Sequence, residues 1–275
     1  MIDQGCAELY LDLMKRCLTN MIYPESEYTD FMPGNKVKQF LFKKLFMPLL
    51  GKMNAKFIRG YNYNEGMRIS GSDWPPMAHT MIWIKGLDNL QHCVVEAIKN
   101  NIPGDLIETG VWRGGASIFM RAILKAYGVV DRKVWVADSF EGLPKPDEIS
   151  YPQDRGDKLY LEEFLAVPLE QVKGNFQKYG LLDNQVIFLK GWFKDTLPSA
   201  PIQKIAVARL DGDMYQSTMD ALNSLYHRIS SGGFIIIDDY GIKGVKQAVH
   251  DFRKEHAISD EMSAVEGTRV YWKKS

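Results

Sequence analysis

The sequence predicts an α/β fold with a mostly parallel sheet, a terminal antiparallel hairpin and an N-terminal helical extension. Short, continuously apolar segments alternate with helical segments from residue 86 onward, which is typical of sheets buried on both faces. Four predicted strands end in acidic residues, and ligands of such sheets bind at the carboxyl ends of the strands. The chain of 275 residues, 45% hydrophobic and 25% charged, has the composition of a globular protein.

Net charge and cysteine usage argue against several classes of protein. The 34 basic and 34 acidic residues balance, whereas nucleic-acid-binding proteins usually carry a basic excess. Cys6, Cys17 and Cys93 suit neither a disulfide scaffold nor a zinc knuckle and favour a reducing, cytoplasmic setting. We expect neither a signal peptide nor a membrane-spanning helix, because the chain has no basic and apolar leader and no run of about 18 apolar residues.

Residues 1–85 are predicted to form a helical and lid extension before a core domain of residues 86–275. Apolar residues recur at helical spacing over residues 7–21, and Pro24 ends this helix. Residues 31–60 hold seven Lys or Arg, no Asp or Glu, and many large apolar side chains. We favour a lid over the active site for this stretch. A membrane-surface helix and a packing arm, such as one for a homodimer, are the alternatives.

The core elements follow in order from the apolar pattern. The predicted strands are residues 105–108, 133–137, 186–189, 205–210 and 234–237, with a terminal hairpin of residues 261–265 and 269–272. The predicted helices are residues 86–100, 115–127, 161–178, 215–229 and 243–256.

The first acidic strand end, Glu108, precedes a glycine turn that differs from the dinucleotide fingerprint. The turn reads acid-x-Gly-x-x-x-Gly-Gly, and a carboxylate there disfavours a pyrophosphate and suits a cationic group such as an ammonium. The absence of G-x-G-x-x-G also argues against a nicotinamide-dependent oxidoreductase. A plain strand–helix turn is the alternative. The predicted cofactor residues here are Glu108, Gly110, Trp112, Gly114, Gly115 and Ser117.

The next two strand ends complete a cofactor site. Asp138 is placed to accept the hydroxyls of a ribose, and a helix cap is the alternative. Trp192 follows the third strand and suits stacking on an adenine, although a core position is as frequent for tryptophan. A carboxylate for an ammonium, one for a ribose and an aromatic for a base describe S-adenosyl-L-methionine. The predicted cofactor residues here are Asp138, Ser139, Phe140, Gly191 and Trp192.

Four further aspartates, Asp211, Asp213, Asp238 and Asp239, follow the last two parallel strands. Carboxylates that converge at one edge repel one another unless a cation lies among them. Oxygen ligands favour Mg²⁺, Ca²⁺ or Mn²⁺ over zinc. The alternative is that Asp213 and Asp239 cap the helices that follow them.

Taken together, these segments resemble the macrocin O-methyltransferase family, whose members methylate sugar hydroxyls of macrolide and aminocoumarin antibiotics. The resemblance extends from about residue 7 to the C-terminus. The segments that carry it are 73–81 (DWPPMAHTM), 108–115 (ETGVWRGG), 138–144 (DSFEGLP), 190–193 (KGWF), 210–215 (LDGDMY) and 237–240 (IDDY).

The resemblance implies a Rossmann-like class I methyltransferase that uses S-adenosyl-L-methionine and Mg²⁺ on a glycoside or polyol acceptor. By the resemblance, Asp211, Asp238 and Asp239 match the metal ligands, and Asp213 matches the general base. A catechol or phenol O-methyltransferase and a non-catalytic S-adenosylmethionine-binding subunit are the alternatives. The residues expected near the acceptor are His79, Thr80, Tyr215 and Tyr240, although a plain position before a helix suits His79 equally well.

Overall fold

The computed structural model describes residues 4–24, 27–70, 73–265 and 268–275. The strands are β1 (Tyr28–Asp30), β2 (Ile58–Gly60), β3 (Asp105–Thr109), β4 (Val134–Asp138), β5 (Val186–Lys190), β6 (Ile205–Leu210), β7 (Ile229–Ile237), β8 (Ser263–Val265) and β9 (Arg269–Lys273). The helices are α1 (Gln4–Leu18), α2 (Lys36–Leu41), α3 (Met47–Lys52), α4 (Glu65–Ser70), α5 (Ile84–Lys99), α6 (Gly115–Ala126), α7 (Leu169–Lys178), α8 (Phe193–Thr196), α9 (Tyr215–Leu225) and α10 (Lys243–Glu255).

The central sheet has seven strands in the order β5-β4-β3-β6-β7-β9-β8. Strands β3 to β7 are parallel, and β9 lies antiparallel to both β7 and β8. The chain first builds the sheet in one direction from β3 and then in the other from β6, so the topological switch point lies between these two strands. The predicted α/β class with a terminal antiparallel hairpin is confirmed. The turn of that hairpin, residues 266–267, lies outside the described residues.

Apolar side chains pack against both faces of this sheet. Leu106 and Ile107 are neighbours on β3 but belong to different hydrophobic clusters, because successive side chains of a strand point to opposite faces. One cluster joins the sheet to α1, α5 and α6, and the other joins it to α9 and α10. Both faces are therefore closed, and the ends of the strands are left for a ligand.

One predicted helix was too long at its N-terminal side. Residues 161–178 were predicted to be helical, but α7 begins at Leu169, after two short 3₁₀ turns at Leu159–Leu161 and Glu163–Leu165. Pro168 stands just before α7, and the residue before a proline is disfavoured in the helical conformation. Residues 141–168 therefore form a long connection over the carboxyl ends of the strands.

The N-terminal extension is tied together by the buried side chain of Arg68. Its guanidinium contacts Glu27 at 2.8 Å and Asp73 at 2.6 Å, so it links the residue before β1 to the residues after α4. Strands β1 and β2 pair with each other and close the base of residues 31–57, which we call the flap. Helix α1 shares the hydrophobic cluster of α5 and α6, and the division of the chain at residue 85 stays a prediction.

The flap contains α2, a π-helical turn at Phe42–Phe46, and α3. Its helical parts contain no buried residue, and its exposed large apolar side chains include Val37, Phe40, Leu45, Phe46 and Met53. Within the part of the chain that the structure describes, every helix is too short or too polar to cross a bilayer.

Candidate active site

A cavity of about 440 Å³ opens at the carboxyl ends of β3, β4, β6 and β7, at the switch point of the sheet. This volume lies in the usual range for small-molecule sites. The acidic strand ends therefore converge as predicted. The predicted site residues that line the cavity are Thr80, Glu108, Gly110, Trp112, Asp138, Ser139, Trp192, Asp211, Asp213, Asp238 and Asp239.

Arg209, on the central strand β6, connects three of these acids. It is 2% exposed, and its guanidinium lies 2.5 Å from Glu108, 2.9 Å from Asp211 and 2.7 Å from Asp238. Although burial lowers it, the pKa of Arg209 is held well above its ordinary value by these carboxylates. The sequence analysis missed this residue, whose only signal was a charged side chain inside an otherwise apolar strand.

Glu108 is already engaged by the protein. Besides Arg209 it accepts a hydrogen bond from the buried hydroxyl of Ser117. Burial raises the pKa of Glu108 to about 7, although Arg209 and Ser117 lower it. Ser117 thus acts through Glu108 and does not line the cavity. The binding of a cofactor ammonium by Glu108 stays a prediction, and any such ligand shares this carboxylate with Arg209.

The glycines after β3 serve two different purposes. At Gly110, where φ is +81°, a Cβ would lie 1.7 Å from the carbonyl oxygen of Asp211, so the strands β3 and β6 meet there at the cavity wall. At Gly115 a Cβ would lie 2.4 Å from the carbonyl oxygen of His79, so this glycine admits the chain before α5. Gly115 does not line the cavity, and its cofactor contact stays a prediction. Gly114, Ser117, Phe140 and Gly191 do not line the cavity either, and their cofactor contacts stay predictions as well.

Asp138 joins two of the turns around the cavity. Its carboxylate accepts the backbone N–H groups of Val111 and Phe140, both at 2.7 Å. Burial raises the pKa of Asp138, although these hydrogen bonds lower it. The alternative of a helix cap is wrong, because the next helical turn after Asp138 begins only at Pro152.

Three residues that follow three different strands have left-handed backbone conformations. The φ angles are +47° at Trp112, +58° at Phe140 and +58° at Asp213. Such conformations are costly for residues other than glycine and concentrate at functional sites. The strained backbone conformations therefore lie in the turns after β3, β4 and β6, whose carboxyl ends border the cavity.

Asp211, Asp213 and Asp239 form a close cluster of carboxylates. Each offers an oxygen atom within 4.8 Å of the other two, and Oδ2 of Asp239 is buried without a hydrogen-bond partner. Burial and the neighbouring carboxylates raise the pKa of Asp213 to about 8 and that of Asp239 well above its ordinary value. An orphaned carboxylate oxygen and an excess of negative charge fit a hard divalent cation.

Asp238, one of the predicted metal ligands, is paired with two arginines, and its place among the ligands stays a prediction. It stands next to the cluster, but its carboxylate is held by Arg209 and by Arg269, whose Nη2 lies 3.0 Å from Oδ2. Burial alone would raise the pKa of Asp238, yet the two arginines hold it below its usual value. The carboxylate that lies close to those of Asp211 and Asp239 is that of Asp213. The charge of Asp238 is already balanced by the two arginines.

The alternative reading of Asp213 and Asp239 as helix caps is wrong. The residues that flank α9 and α10 are Met214 and Ile242, and neither makes a side-chain cap. Helix α9 is capped instead by the buried Asp154, which accepts the N–H groups of Tyr215 and Gln216 at 2.7 and 3.0 Å. This cap ties the connection of residues 141–168 to the turn that carries Asp211 and Asp213.

Of the residues expected near the acceptor, Thr80 lines the cavity and three others do not. The Nδ1 atom of His79 lies 2.7 Å from the hydroxyl of Tyr179. Tyr215 donates to Asp251 at 3.1 Å, and the hydroxyl of Tyr240 lies 2.8 Å from Nε2 of His250. Each of these side chains contacts a neighbour that does not line the cavity, and its contact with the acceptor stays a prediction.

Comparison with known proteins gives a consistent result. The macrocin-O-methyltransferase (TylF) family model matches residues 7–274. The 8-demethyl-8-(2,3-dimethoxy-α-L-rhamnosyl)-tetracenomycin-C 4'-O-methyltransferase of Streptomyces olivaceus is 51% identical over 99% of this chain and 95% of its own. The mycinamicin III 3''-O-methyltransferase of Micromonospora griseorubida is 48% identical over 98% of this chain and 97% of its own. The solved structure of the O-methyltransferase NovP is 45% identical, with a TM-score of 0.83 over 98% of this chain and 99% of its own.

Replacing Arg209 by methionine leaves Glu108, Asp211 and Asp238 without their shared cation. We expect the free energy of unfolding, measured by urea denaturation, to fall by about 3–5 kcal/mol, as when one member of a buried ion pair is removed. Arg155→Met is the control, since Arg155 is exposed on the connection over the sheet. Equal denaturation midpoints for the two variants would contradict the role given to Arg209.

Proposed function

The chain belongs to the macrocin O-methyltransferase family, and on this premise we propose that it methylates a sugar hydroxyl of a natural-product glycoside with S-adenosyl-L-methionine and Mg²⁺. The observation that carries the proposal is the carboxylate cluster beside acidic strand ends, in one cavity of a chain that matches O-methyltransferases over almost its full length. Two relatives are named for methyl transfer to the 4' and 3'' positions of glycosides, which supports a sugar over a catechol.

The cavity suits a cationic cofactor. S-adenosyl-L-methionine, when bound, supplies a methyl group on a positively charged sulfur. Glu108, Asp138, Trp112 and Trp192 line the proposed cofactor part of the cavity. Asp138 retains oxygen lone pairs for a ribose beside its two backbone hydrogen bonds. The two tryptophans offer apolar faces for the adenine.

Asp211 and Asp239 are proposed to hold the divalent cation, with Asp213 beside them. Mg²⁺, when bound, lowers the pKa of a hydroxyl and fixes its position. Asp238 joins the ligands only if it exchanges Arg209 or Arg269 for the ion. In the described structure Asp238 is paired with two arginines, whereas Asp211 is paired with Arg209 alone and Oδ2 of Asp239 has no partner, which supports Asp211 and Asp239 as the primary pair.

Asp213 is proposed to accept the proton of the acceptor hydroxyl. Without an ion, burial and the neighbouring carboxylates raise the pKa of Asp213 to about 8, and a bound cation would lower it, so that Asp213 is ionised and able to accept a proton. The strained backbone of Asp213 and the cap of α9 by Asp154 hold this side chain in place. The enzyme must also orient the acceptor oxygen in line with the methyl group. Such orientation accounts for much of the rate acceleration of a displacement reaction.

The flap supports a proposed homodimer and a lid over the acceptor. Its exposed large apolar side chains, such as Phe40, Leu45 and Phe46, lie close together in the sequence, and groups of exposed apolar side chains mark interaction surfaces. Its base is fixed by Arg68, which also holds Asp73 in the cavity lining, so a movement of the flap would reach the cavity. We also propose a cytoplasmic location, since three widely spaced cysteines that fit no disulfide scaffold are typical of a reducing compartment.

Replacing Asp213 by asparagine keeps the size of the side chain and removes the proposed base. We expect turnover to fall by about 10²–10⁴-fold, with binding of S-adenosylhomocysteine unchanged by calorimetry. Asp131→Asn, at an exposed site before β4, is the matched control.

The acceptors are mycinamicin III, the rhamnosyl-tetracenomycin glycoside and a catechol, with methyl gain followed by mass spectrometry. Full turnover in Asp213→Asn rules out the base, and transfer to the catechol alone rules out the sugar acceptor.

Binding of Mg²⁺ is expected to strengthen as the pH rises towards about 8. Below that pH Asp213 holds a proton in the absence of the ion, and the pKa of Asp239 is raised as well. The ion must displace these protons, so affinity rises by about tenfold per pH unit for each proton released. Calorimetry in buffers of different ionisation enthalpy measures both the affinity and the proton release. Asp239→Asn should abolish binding, whereas Asp220→Asn, in the same cavity but outside the cluster, should retain it. Methyl transfer that is unaffected by EDTA contradicts the metal assignment.

A charge placed in the flap should break the proposed homodimer. Leu45 is 62% exposed in the flap and Leu161 is 61% exposed outside it, so Leu45→Asp and Leu161→Asp are matched variants. Sedimentation equilibrium should find dimers for the wild type and Leu161→Asp and monomers for Leu45→Asp. A monomeric wild type that co-sediments with anionic vesicles would favour the membrane-surface alternative.

A further inference from the structure

Four side chains form a continuous stack at the mouth of the cavity. The ring of Trp74 lies face to face with Phe164, with centroids 5.6 Å apart and planes inclined by 18°. The ring of Trp112 is tilted by 49° against that of Phe164, with centroids 5.1 Å apart, and the guanidinium of Arg113 lies 4.2 Å from the Trp112 ring. We call Trp74, Phe164, Trp112 and Arg113 the aromatic stack. Trp74 and Trp112 line the cavity itself.

The segment that carries Trp74 is held on both sides. Before it, Asp73 is bound by Arg68 at 2.6 Å. After it, Arg113 donates hydrogen bonds of 2.8 Å to the carbonyl oxygens of Pro76 and Ala78. Within the stack, Nε1 of Trp112 donates to the carbonyl oxygen of Phe164 at 3.0 Å. Trp74 is therefore a rigidly positioned aromatic group and not a side chain at the end of a loose loop.

Trp74 is nevertheless far more exposed than a structural tryptophan. It is 52% exposed, whereas Trp83 is 7%, Trp135 4% and Trp272 1% exposed. A pre-positioned tryptophan with an open face is typical of residues that dominate binding, because it offers a large apolar area at little cost in side-chain entropy. The arrangement therefore points to a ligand group that covers this face.

The place of the stack in the cavity indicates which part of the ligand this is. The carboxylate cluster lies at the ends of β6 and β7, and the proposed function requires the reacting hydroxyl to lie there. Trp74 and Phe164 belong to segments outside the sheet, before α5 and within residues 141–168, whereas Trp112 and Arg113 follow β3 beside the proposed cofactor part of the cavity. Apolar side chains of the same connection, Leu143, Pro144, Leu159 and Leu165, also line the cavity. The outer part of the cavity thus carries several apolar side chains beside Lys145 and Asp147, whereas the inner part is acidic.

We propose that Trp74 stacks on the aglycone of the acceptor glycoside and is a specificity-determining residue, with Arg113 as its positioning residue. The inference rests on the proposed function, because it takes the sugar to be the part that reaches the carboxylates. It adds that recognition of the acceptor divides in two, with acids for the hydroxyl and an aromatic face for the ring system attached to the sugar.

The test compares Trp74→Ala and Trp74→Phe with Met77→Ala, a control at an exposed residue of the same segment that does not line the cavity. The acceptors are mycinamicin III and the rhamnosyl-tetracenomycin glycoside, each set against methyl α-L-rhamnoside, which has no aglycone. Kinetic constants are measured at saturating S-adenosylmethionine and Mg²⁺. Calorimetric binding of the same acceptors in the presence of S-adenosylhomocysteine gives a readout that needs no turnover.

For a glycoside that the wild type methylates, Trp74→Ala should raise KM by about tenfold with kcat nearly unchanged, as expected for a lost ring contact. Trp74→Phe should recover most of the loss, and Met77→Ala should match the wild type. The kinetic constants for methyl α-L-rhamnoside should be the same in all four proteins. Equal melting temperatures show that the variants fold.

Three results would overturn the inference. They are an unchanged KM in Trp74→Ala, an equal loss for methyl α-L-rhamnoside, and an equal loss in Trp74→Phe together with a lowered melting temperature. Transfer that is indifferent to Trp74 overturns the inference alone and leaves the proposed function standing. Binding that depends on Trp74 without any transfer overturns the proposed function and supports the stacking contact. Failure of the wild type to bind either glycoside overturns both.

Discussion

The ion pairs of the buried Arg209 side chain are the interaction on which the rest of the active site depends. Glu108, Asp211 and Asp238 end three adjacent strands, and each lies within 3 Å of this one guanidinium. Buried carboxylates without a partner cost several kcal/mol each. These three acids can lie together at one edge of the sheet because the Arg209 guanidinium balances their charge. The turns after β3, β6 and β7 are thereby fixed relative to one another.

The buried guanidinium of Arg209 changes how many of the acidic strand ends need an external cation. Convergence of carboxylates suggested an external metal ion, yet Arg209 and Arg269 already balance part of the charge. The argument for a cation therefore rests on the members that the arginines do not neutralise, above all the orphaned oxygen of Asp239 beside Asp213. The acids therefore differ in their partners. Glu108 and Asp238 are paired with arginines and hold the strand ends, whereas the pKa values of Asp213 and Asp239 are raised and these two acids are available for chemistry.

A second buried arginine organises the entrance in a similar way. Arg68 joins Glu27 to Asp73, so the base of the flap and the segment that carries Trp74 share one anchor. Arg113 fixes the other side of that segment to the turn after β3. The inner part of the cavity is acidic and is organised by Arg209, whereas the entrance carries Trp74 and is organised by Arg68 and Arg113. This division suits an acceptor with a polar sugar and a less polar ring system.

The sequence by itself determined the order of the core strands and helices, the parallel sheet and the meeting of the acidic strand ends. These features follow from apolar periodicity and strand direction, which are local properties of the chain. The family motifs could also be recognised, because each is a contiguous segment. Only the tertiary structure decided that Asp238 is held by arginines, that His79, Tyr215 and Tyr240 bond outside the cavity, and that Trp74 lies at its mouth. These contacts join residues far apart in the chain, and they follow from how side chains pack once the sheet has formed.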